Sequence, residues 1–74
     1  MNLRRVAANI VIDKDGHEHK NHVIELYNSH VVNFYPLEGE IPMTEWLGGV
    51  IIIEGGKAYH IKTDADGIRH KQQL

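Results

Sequence analysis

The chain contains no cysteine, and this absence excludes two common ways of stabilising a small domain. Neither a disulfide nor a thiolate metal site can form. A domain of 74 residues buries a small core, so its margin of stability is correspondingly small. The remaining sources of stability are good packing, self-association, or a metal site built from imidazole and carboxylate groups.

Excess positive charge is also absent, which argues against nucleic-acid binding. The formal net charge is −2, and eight lysines and arginines stand against ten acidic residues. One Trp, three Tyr and one Phe are present, but no basic run is interleaved with them. Because nucleic-acid surfaces combine clustered positive charge with such aromatics, we expect no nucleic-acid partner.

No apolar run is long enough to span a membrane. The longest, at residues 50–53, has four residues, whereas a helical span needs about 20. Arg4 and Arg5 precede a short apolar stretch in the manner of a signal peptide, but Asn9 interrupts it. Asp13 ends the stretch, and no small-residue cleavage site follows. We therefore expect a cytoplasmic protein without a membrane partner.

The apolar residues that are present recur with a period of two, which indicates β-strands. In the first strand, one face is predicted to carry Val6, Ala8, Ile10 and Ile12, and the other Ala7, Asn9 and Val11. Further strands are predicted near residues 22–27, 30–35, 50–54, 57–62 and 67–72. Gly55-Gly56 predicts a tight hairpin between two of them.

These patterns predict a single all-β domain over residues 1–74. Six or seven mostly antiparallel strands would form a small sandwich or a partly open barrel, since an open flat sheet exposes an apolar face. At most one short helical turn is expected, near residues 43–47, where Thr44 could cap it.

Two octets, residues 13–20 and 64–71, share Asp, Asp, Gly, His and Lys at matching positions. Aspartate can bond its own backbone and glycine adopts positive φ, so Asp-x-Asp-Gly favours a turn. A calcium loop that began at Asp13 would need a glutamate at its twelfth position, which is occupied by Ile24. We interpret the octets as two uses of one turn rather than as a duplication.

The chain has six histidines, and three of them cluster at His17, His19 and His22. On a strand, His17 and His19 would point to the same face, so these residues are candidate metal ligands. A third ligand would have to come from elsewhere, either His70 or Asp15. The alternative is that they are solvated, because they follow a polar turn. We expect no cofactor, and keep a small-ligand or metal-binding module built on this cluster as an alternative function.

No catalytic residues are predicted, and we expect the protein not to be an enzyme. The one serine, Ser29, is followed by His30. Adjacent strand residues point to opposite faces, so this pair cannot form a hydrogen-bonded dyad on a regular strand.

Met43, Trp46 and Leu47 form an apolar group in the one irregular segment. Either Trp46 plugs one end of the fold, or the group is an interface, since tryptophan is enriched at binding hot spots. The predicted function is therefore a non-catalytic domain that acts through protein association, as a homodimer or with a protein partner.

One sequence of strands has a recognisable pattern: Ala8-Asn9-Ile10-Val11-Ile12-Asp13, followed by Val23-Ile24-Glu25-Leu26 and His30-Val31-Val32-Asn33-Phe34. This pattern is similar to the opening of enzymes in the amidohydrolase superfamily, which are metal-dependent hydrolases. Residues 46–52 resemble their strand leading into the barrel, and residues 53–60 their last hairpin. In that family such stretches build a small β-sandwich beside a metal-binding (β/α)₈ barrel.

The chain departs from that family where its metal ligands would stand. After Val50-Ile51-Ile52 the family has Pro-Gly and a His-x-His pair, whereas here Glu54-Gly55-Gly56 turns the chain back. His17-Glu18-His19 precedes that strand, so it does not inherit the ligand role. The resemblance implies the sandwich fold without the chemistry, as in a detached accessory domain of an amidohydrolase.

Folding is predicted not to require a metal ion, because thiolates are absent and the clustered histidines follow a polar turn. Adding a chelator should leave the midpoint of thermal unfolding unchanged when it is followed by circular dichroism. A sharp fall in the midpoint would instead show that the imidazoles hold a structural metal.

Overall fold

The computed structural model describes residues 3–39 and 41–74, which form seven strands and no helix. The strands are β1 (Leu3–Ile12), β2 (Glu18–Tyr27), β3 (His30–Pro36), β4 (Thr44–Trp46), β5 (Val50–Glu54), β6 (Lys57–Thr63) and β7 (Arg69–Gln73). All belong to one sheet of order β3-β2-β1-β5-β6-β7, with β4 paired to β1. The prediction of six to seven mostly antiparallel strands is confirmed, and they form one open sheet rather than a two-sheet sandwich.

None of the described residues forms a helix that could cross a membrane.

The central strand β1 is paired on both edges. Along one edge it pairs antiparallel with β2 over its whole length. Along the other edge two short parallel strands follow each other, with β4 beside Arg5–Ala7 and β5 beside Ile10–Ile12. The predicted hairpin of β5 and β6 across Gly55-Gly56 is confirmed by the pairing of Glu54 with Lys57.

Asn9 bridges the gap between β4 and β5. Its Oδ1 accepts a hydrogen bond from Gly49 N at 2.7 Å, and Gly49 O accepts one from Ile10 N at 3.1 Å. Gly48 and Gly49 have φ of 68° and 62°, a left-handed conformation that glycine adopts without steric cost. The Asn9 side chain thus replaces a backbone hydrogen-bond acceptor, and the row of hydrogen bonds along this edge of β1 continues from β4 to β5.

The predicted alternation along β1 is right for its first half and wrong for its second. Val6 and Ala8 are fully buried in the core, as predicted. Val11 is also fully buried there, whereas Ile10 and Ile12 are half-buried and lie on the opposite face. The alternation therefore changes phase between Ala8 and Val11.

The cause lies at Asn9 and its neighbour across the sheet, Asn21. Asn21 has φ of 51°, in the left-handed region that asparagine tolerates better than most residues with a side chain. The register of β1 with β2 is the same before and after this point, so both strands change phase together. Ala8 and Val11, three residues apart, consequently face the same side.

The sheet curls around a core built from β1, β2, β5 and β6. The edge strand β3 reaches the turn after β5, where Val31 N donates to Gly56 O at 2.7 Å, but the sheet does not close into a barrel. The buried cluster consists of Val6, Ala8, Val11, Ile24, Leu26, Ile51, Ile53 and Ala58. Burying each larger aliphatic side chain contributes about 1.5–3 kcal/mol relative to leaving it exposed.

The short helical turn predicted near residues 43–47 is not formed, because Thr44–Trp46 is the strand β4. Met43 has φ of 61°, and a residue with a side chain cannot begin a right-handed helix in that conformation. A helix this short would also leave most of its backbone groups without partners. Pairing with Arg5–Ala7 supplies those partners directly.

Ile24 fills the centre of the core with no exposed surface, so shortening it should reduce stability. We expect Ile24→Val to lower the free energy of unfolding by about 0.5–1.5 kcal/mol in urea denaturation. Ile68, which is 57% exposed, provides the matched control: Ile68→Val should change stability by less than about 0.5 kcal/mol. Equal losses in the two variants would contradict this assignment of the core.

Candidate functional site

The apolar group around Trp46 lies at the surface. Met43 is 88% exposed and Trp46 is 56% exposed, while Leu47 is half-buried and packs against the core. Trp46 is therefore not a buried plug at the end of the fold. We refer to Met43, Trp46 and Leu47 as the Trp46 patch.

A shallow groove of about 450 Å³ lies beside Trp46. It is lined by Ala7, Leu37, Gly39, Ile41, Pro42, Thr44 and Trp46, so its surface is mainly apolar. Within the part of the chain that the structure describes, the hydroxyl of Thr44 is buried without a hydrogen-bond partner. The groove can receive an apolar side chain.

An ion pair borders the Trp46 patch. Arg4 donates to Glu45 through Nε at 2.6 Å to Oε2 and through Nη2 at 3.2 Å to Oε1. This hydrogen bonding holds the pKa of Glu45 below its usual value and raises the pKa of Arg4. Both side chains are about half exposed, so a cation and an anion are available next to the apolar group.

The first Asp-x-Asp-Gly octet forms the turn between β1 and β2. Asp13 Oδ1 accepts hydrogen bonds from the backbone nitrogens of Asp15 and His17, each at 2.9 Å. Its backbone carbonyl accepts one from Gly16 N at 3.0 Å. The other carboxylate oxygen, Oδ2, accepts one from His19 Nε2 at 2.8 Å. A single aspartate thereby closes the turn and ties it to β2.

The second octet forms the turn between β6 and β7 with the same bonds. Asp64 Oδ1 accepts from the nitrogens of Asp66 and Ile68 at 2.9 Å, and Oδ2 accepts from His70 Nε2 at 2.8 Å. The prediction that both octets form turns is confirmed. The two turns differ at three positions, where the first has Lys14, His17 and Glu18 and the second has Ala65, Ile68 and Arg69.

The three histidines predicted to cluster are separated in the structure, with His19 and His22 together and His17 apart from them. The rings of His19 and His22 have centroids 4.9 Å apart, and both contact Phe34, at 5.3 and 5.9 Å. These two histidines are three residues apart, and the change of phase at Asn21 brings them to the same side. His22 Nδ1 donates to Lys20 O at 3.0 Å, so each of the two rings already has a hydrogen-bond partner.

His17 lies instead with two carboxylates. Asp13, Asp15 and His17 each place one potential ligand atom so that the three atoms lie within 4.8 Å of one another. In residues 3–39 and 41–74, this is the group of three histidine or acidic side chains with that geometry. The sequence analysis named His17 as a candidate ligand and Asp15 as one choice for a third ligand, while Asp13 was interpreted as a turn residue.

His60 is a structural residue that sequence reasoning missed. It is 9% exposed, and its Nε2 lies 3.1 Å from Gly48 O. A carbonyl oxygen can only accept, so Nε2 carries the proton and donates it. His30, next to Ser29, similarly bonds through Nδ1 to Asn28 O at 3.1 Å.

The second missed feature is the apolar face of the sheet that points away from the core. Neighbouring positions on β1, β5 and β6 carry half-buried apolar side chains: Ile10, Ile12, Val50, Ile52, Tyr59 and Ile61. The signal in the sequence was the run at residues 50–53, which has no polar residue at alternate positions. Such a run is typical of a strand that is apolar on both faces.

Comparison of the chain with models of protein families, with curated proteins and with solved structures finds no match. The resemblance to the amidohydrolase superfamily therefore stays a prediction.

The bond between Asp13 and His19 predicts a specific loss of stability in acid. That bond, together with those from the turn nitrogens, lowers the pKa of Asp13 to about 2. A carboxyl whose pKa is lower in the folded state stabilises the fold above its unfolded pKa, which is about 3.9. The free energy of unfolding should therefore decrease as the pH falls from about 4 to about 2.

Chemical unfolding at a series of pH values checks this prediction. Asp13→Asn keeps the Oδ1 acceptor but cannot accept from His19, so we expect lower stability at neutral pH and a flatter dependence below pH 4. Asp15→Asn, in the same turn, should keep the dependence of the natural chain. Identical pH profiles for Asp13→Asn and the natural chain would disprove the role of Asp13.

Proposed function

We propose that the protein is a non-catalytic domain that acts by self-association, with two copies joined through their Trp46 patches. The observation that carries the proposal is that Met43 projects into solvent, 88% exposed, next to an apolar groove on the same chain. An apolar anchor and a receiving groove on one surface are what a two-fold symmetric interface requires.

The backbone at Met43 supports a functional role for this residue. Its φ of 61° is a left-handed conformation, which costs a residue with a side chain of order 1–3 kcal/mol. Such strain is concentrated at binding and catalytic sites, and here it presents an apolar side chain that the core does not use. Methionine suits this task, because its unbranched, polarisable side chain adapts to irregular grooves.

The groove fits the same side chain from a second copy. Its walls include Leu37, Ile41, Pro42 and Trp46, and its volume of about 450 Å³ exceeds that of one methionine side chain. In a two-fold arrangement, Met43 of each copy would enter the groove of the other. Trp46 would then be covered from both sides, as is usual for a hot-spot residue.

The charges beside the patch favour a second copy over an unrelated partner. Arg4 and Glu45 place one positive and one negative group at its margin, with side-chain exposures of 41% and 52%. A two-fold axis brings each of these groups near the opposite charge of the other copy, so the margin is complementary to itself. Association also adds stability to a domain whose own core is small.

Sedimentation equilibrium from low to high micromolar concentration tests this proposal. We expect a monomer–dimer equilibrium in the natural chain. Met43→Asn should weaken dimerisation by more than about tenfold, because hot-spot truncations commonly cost 2 kcal/mol or more. Asparagine tolerates the left-handed backbone, so the variant should still fold. Ile68→Asn, which removes an equally apolar exposed residue outside the patch, should leave the equilibrium unchanged.

The single tryptophan provides a second measurement on the same samples. Fluorescence emission should shift to longer wavelength on dilution, since Trp46 becomes exposed as dimers dissociate. A strict monomer at high micromolar concentration would overturn the proposal. A dimer unaffected by Met43→Asn, with no change in emission on dilution, would place the interface elsewhere, the apolar face of β1, β5 and β6 being the first alternative.

A further inference from the structure

We infer that the turn between β1 and β2 binds one transition-metal dication of the zinc, nickel or copper type through Asp13, Asp15 and His17. The site shares no residue with the Trp46 patch, so metal binding can be tested independently of self-association.

The three side chains are already close to the spacing that a metal ion requires. Their potential ligand atoms lie within 4.8 Å of one another, and His17 Nδ1 is 3.7 Å from Asp13 Oδ2. Ligands at about 2.1 Å from a tetrahedral ion are separated by roughly 3.4 Å. The His17 side chain is 76% exposed and Asp15 is also exposed, so these side chains can close the remaining gap, at most roughly 1.4 Å, without disturbing the core.

Asp13 is held in place before any ion binds. Its Oδ1 is fixed by two backbone nitrogens, and its Oδ2 accepts from His19 Nε2 at 2.8 Å. Oδ2 has a second lone pair, which is free to bind a metal while the first holds the histidine. Ligating groups oriented by a hydrogen bond of this kind are the usual arrangement around protein metal sites. His19 is therefore a positioning residue in this site.

The donor set selects the class of ion. One imidazole nitrogen with two carboxylates suits zinc, nickel and copper, whereas calcium and magnesium prefer oxygen ligands alone and calcium needs six to eight of them. His19 and His22 each use one ring nitrogen for a hydrogen bond, His19 through Nε2 to Asp13 and His22 through Nδ1 to Lys20 O. Each keeps its other ring nitrogen, so the experiment has to distinguish binding at these two rings from binding at His17.

The second turn provides a control within the same molecule. It repeats the hydrogen bonds of the first around Asp64 and has Asp66 where the first has Asp15. At the position of His17 it has Ile68, which cannot ligate a metal. Any affinity that came only from the two aspartates of the turn, or from the histidine that follows it, would be expected at both turns, which otherwise differ in charge at Glu18 and Arg69. Affinity that needs His17 belongs to the first turn alone.

Titration of the full chain with zinc chloride, followed by nitrogen–proton NMR, tests the inference. We expect one equivalent to bind, with the largest shifts between residues 13 and 19. His17→Ile gives the first turn the residue of the second, and should weaken binding by more than about tenfold. Ile68→His makes the reverse change and should create a second equivalent, with new shifts between residues 64 and 70. His30→Gln removes a histidine from a different turn and should leave binding unchanged.

Three results would overturn the inference. The first is the absence of chemical-shift changes up to millimolar zinc. The second is binding that survives His17→Ile unchanged, particularly with shifts centred on His19 and His22. The third is equal binding at both turns of the natural chain, which would mean that the shared aspartates and the histidine that follows each turn attract the ion without His17. The NMR spectra also show directly whether each variant is folded, so loss of structure cannot be mistaken for loss of the site.

Discussion

The pairing of β1 on both of its edges is the interaction through which the rest of the sheet is held together. One edge carries β2 and, beyond it, β3; the other carries β4 and β5, with β6 and β7 beyond. Val6, Ala8 and Val11 of this strand contribute to the core from its centre. The two halves of the molecule are therefore joined mainly by β1, with the hydrogen bond from Val31 N to Gly56 O as a second link.

A local irregularity gives that strand its particular shape. At Asn9 and Asn21 both β1 and β2 change phase, so that side chains three residues apart face the same side. This places Val11 in the core, turns Ile10 and Ile12 to the opposite face, and brings His19 next to His22. The carboxamide of Asn9 also carries the ladder across the break between β4 and β5. Two asparagines thus determine the core, the second apolar face and the surroundings of the first turn.

Features that depend on neighbouring residues could be predicted from the sequence. The hairpin at Gly55-Gly56 and the two Asp-x-Asp-Gly turns follow from local backbone preferences, and the strands follow from period-two patterns. The strand β4 could not be predicted, because three residues become a strand only by pairing with Arg5–Ala7 about forty positions away. The phase change was also hidden, since it depends on the backbone conformation of Asn21.

The candidate sites were also predicted only in part. The sequence allowed Trp46 to be either a buried plug or an exposed interface residue, and the position of β4 decides that it is exposed. His17 was a candidate ligand, but alternation on a strand grouped it with His19. The turn instead curls around Asp13, so the side chains at positions 13, 15 and 17 converge. The three side chains converge because backbone nitrogens bond to the Asp13 carboxylate. A period-two pattern of apolar residues does not reveal such bonds.

The parallel pairing of β1 with β5 also has a consequence for the order in which the chain acquires its structure. Ile10 lies beside Val50, so about forty residues form the loop that must close before β1 gains its second neighbour. Because of chain entropy, closing such a loop costs about 2 kcal/mol more free energy than closing one of the five-residue Asp-x-Asp-Gly turns. The hairpins β1–β2 and β6–β7 can therefore form early from local contacts. Pairing of β1 with β5, which completes the core, has the higher entropic cost and is the late step of folding.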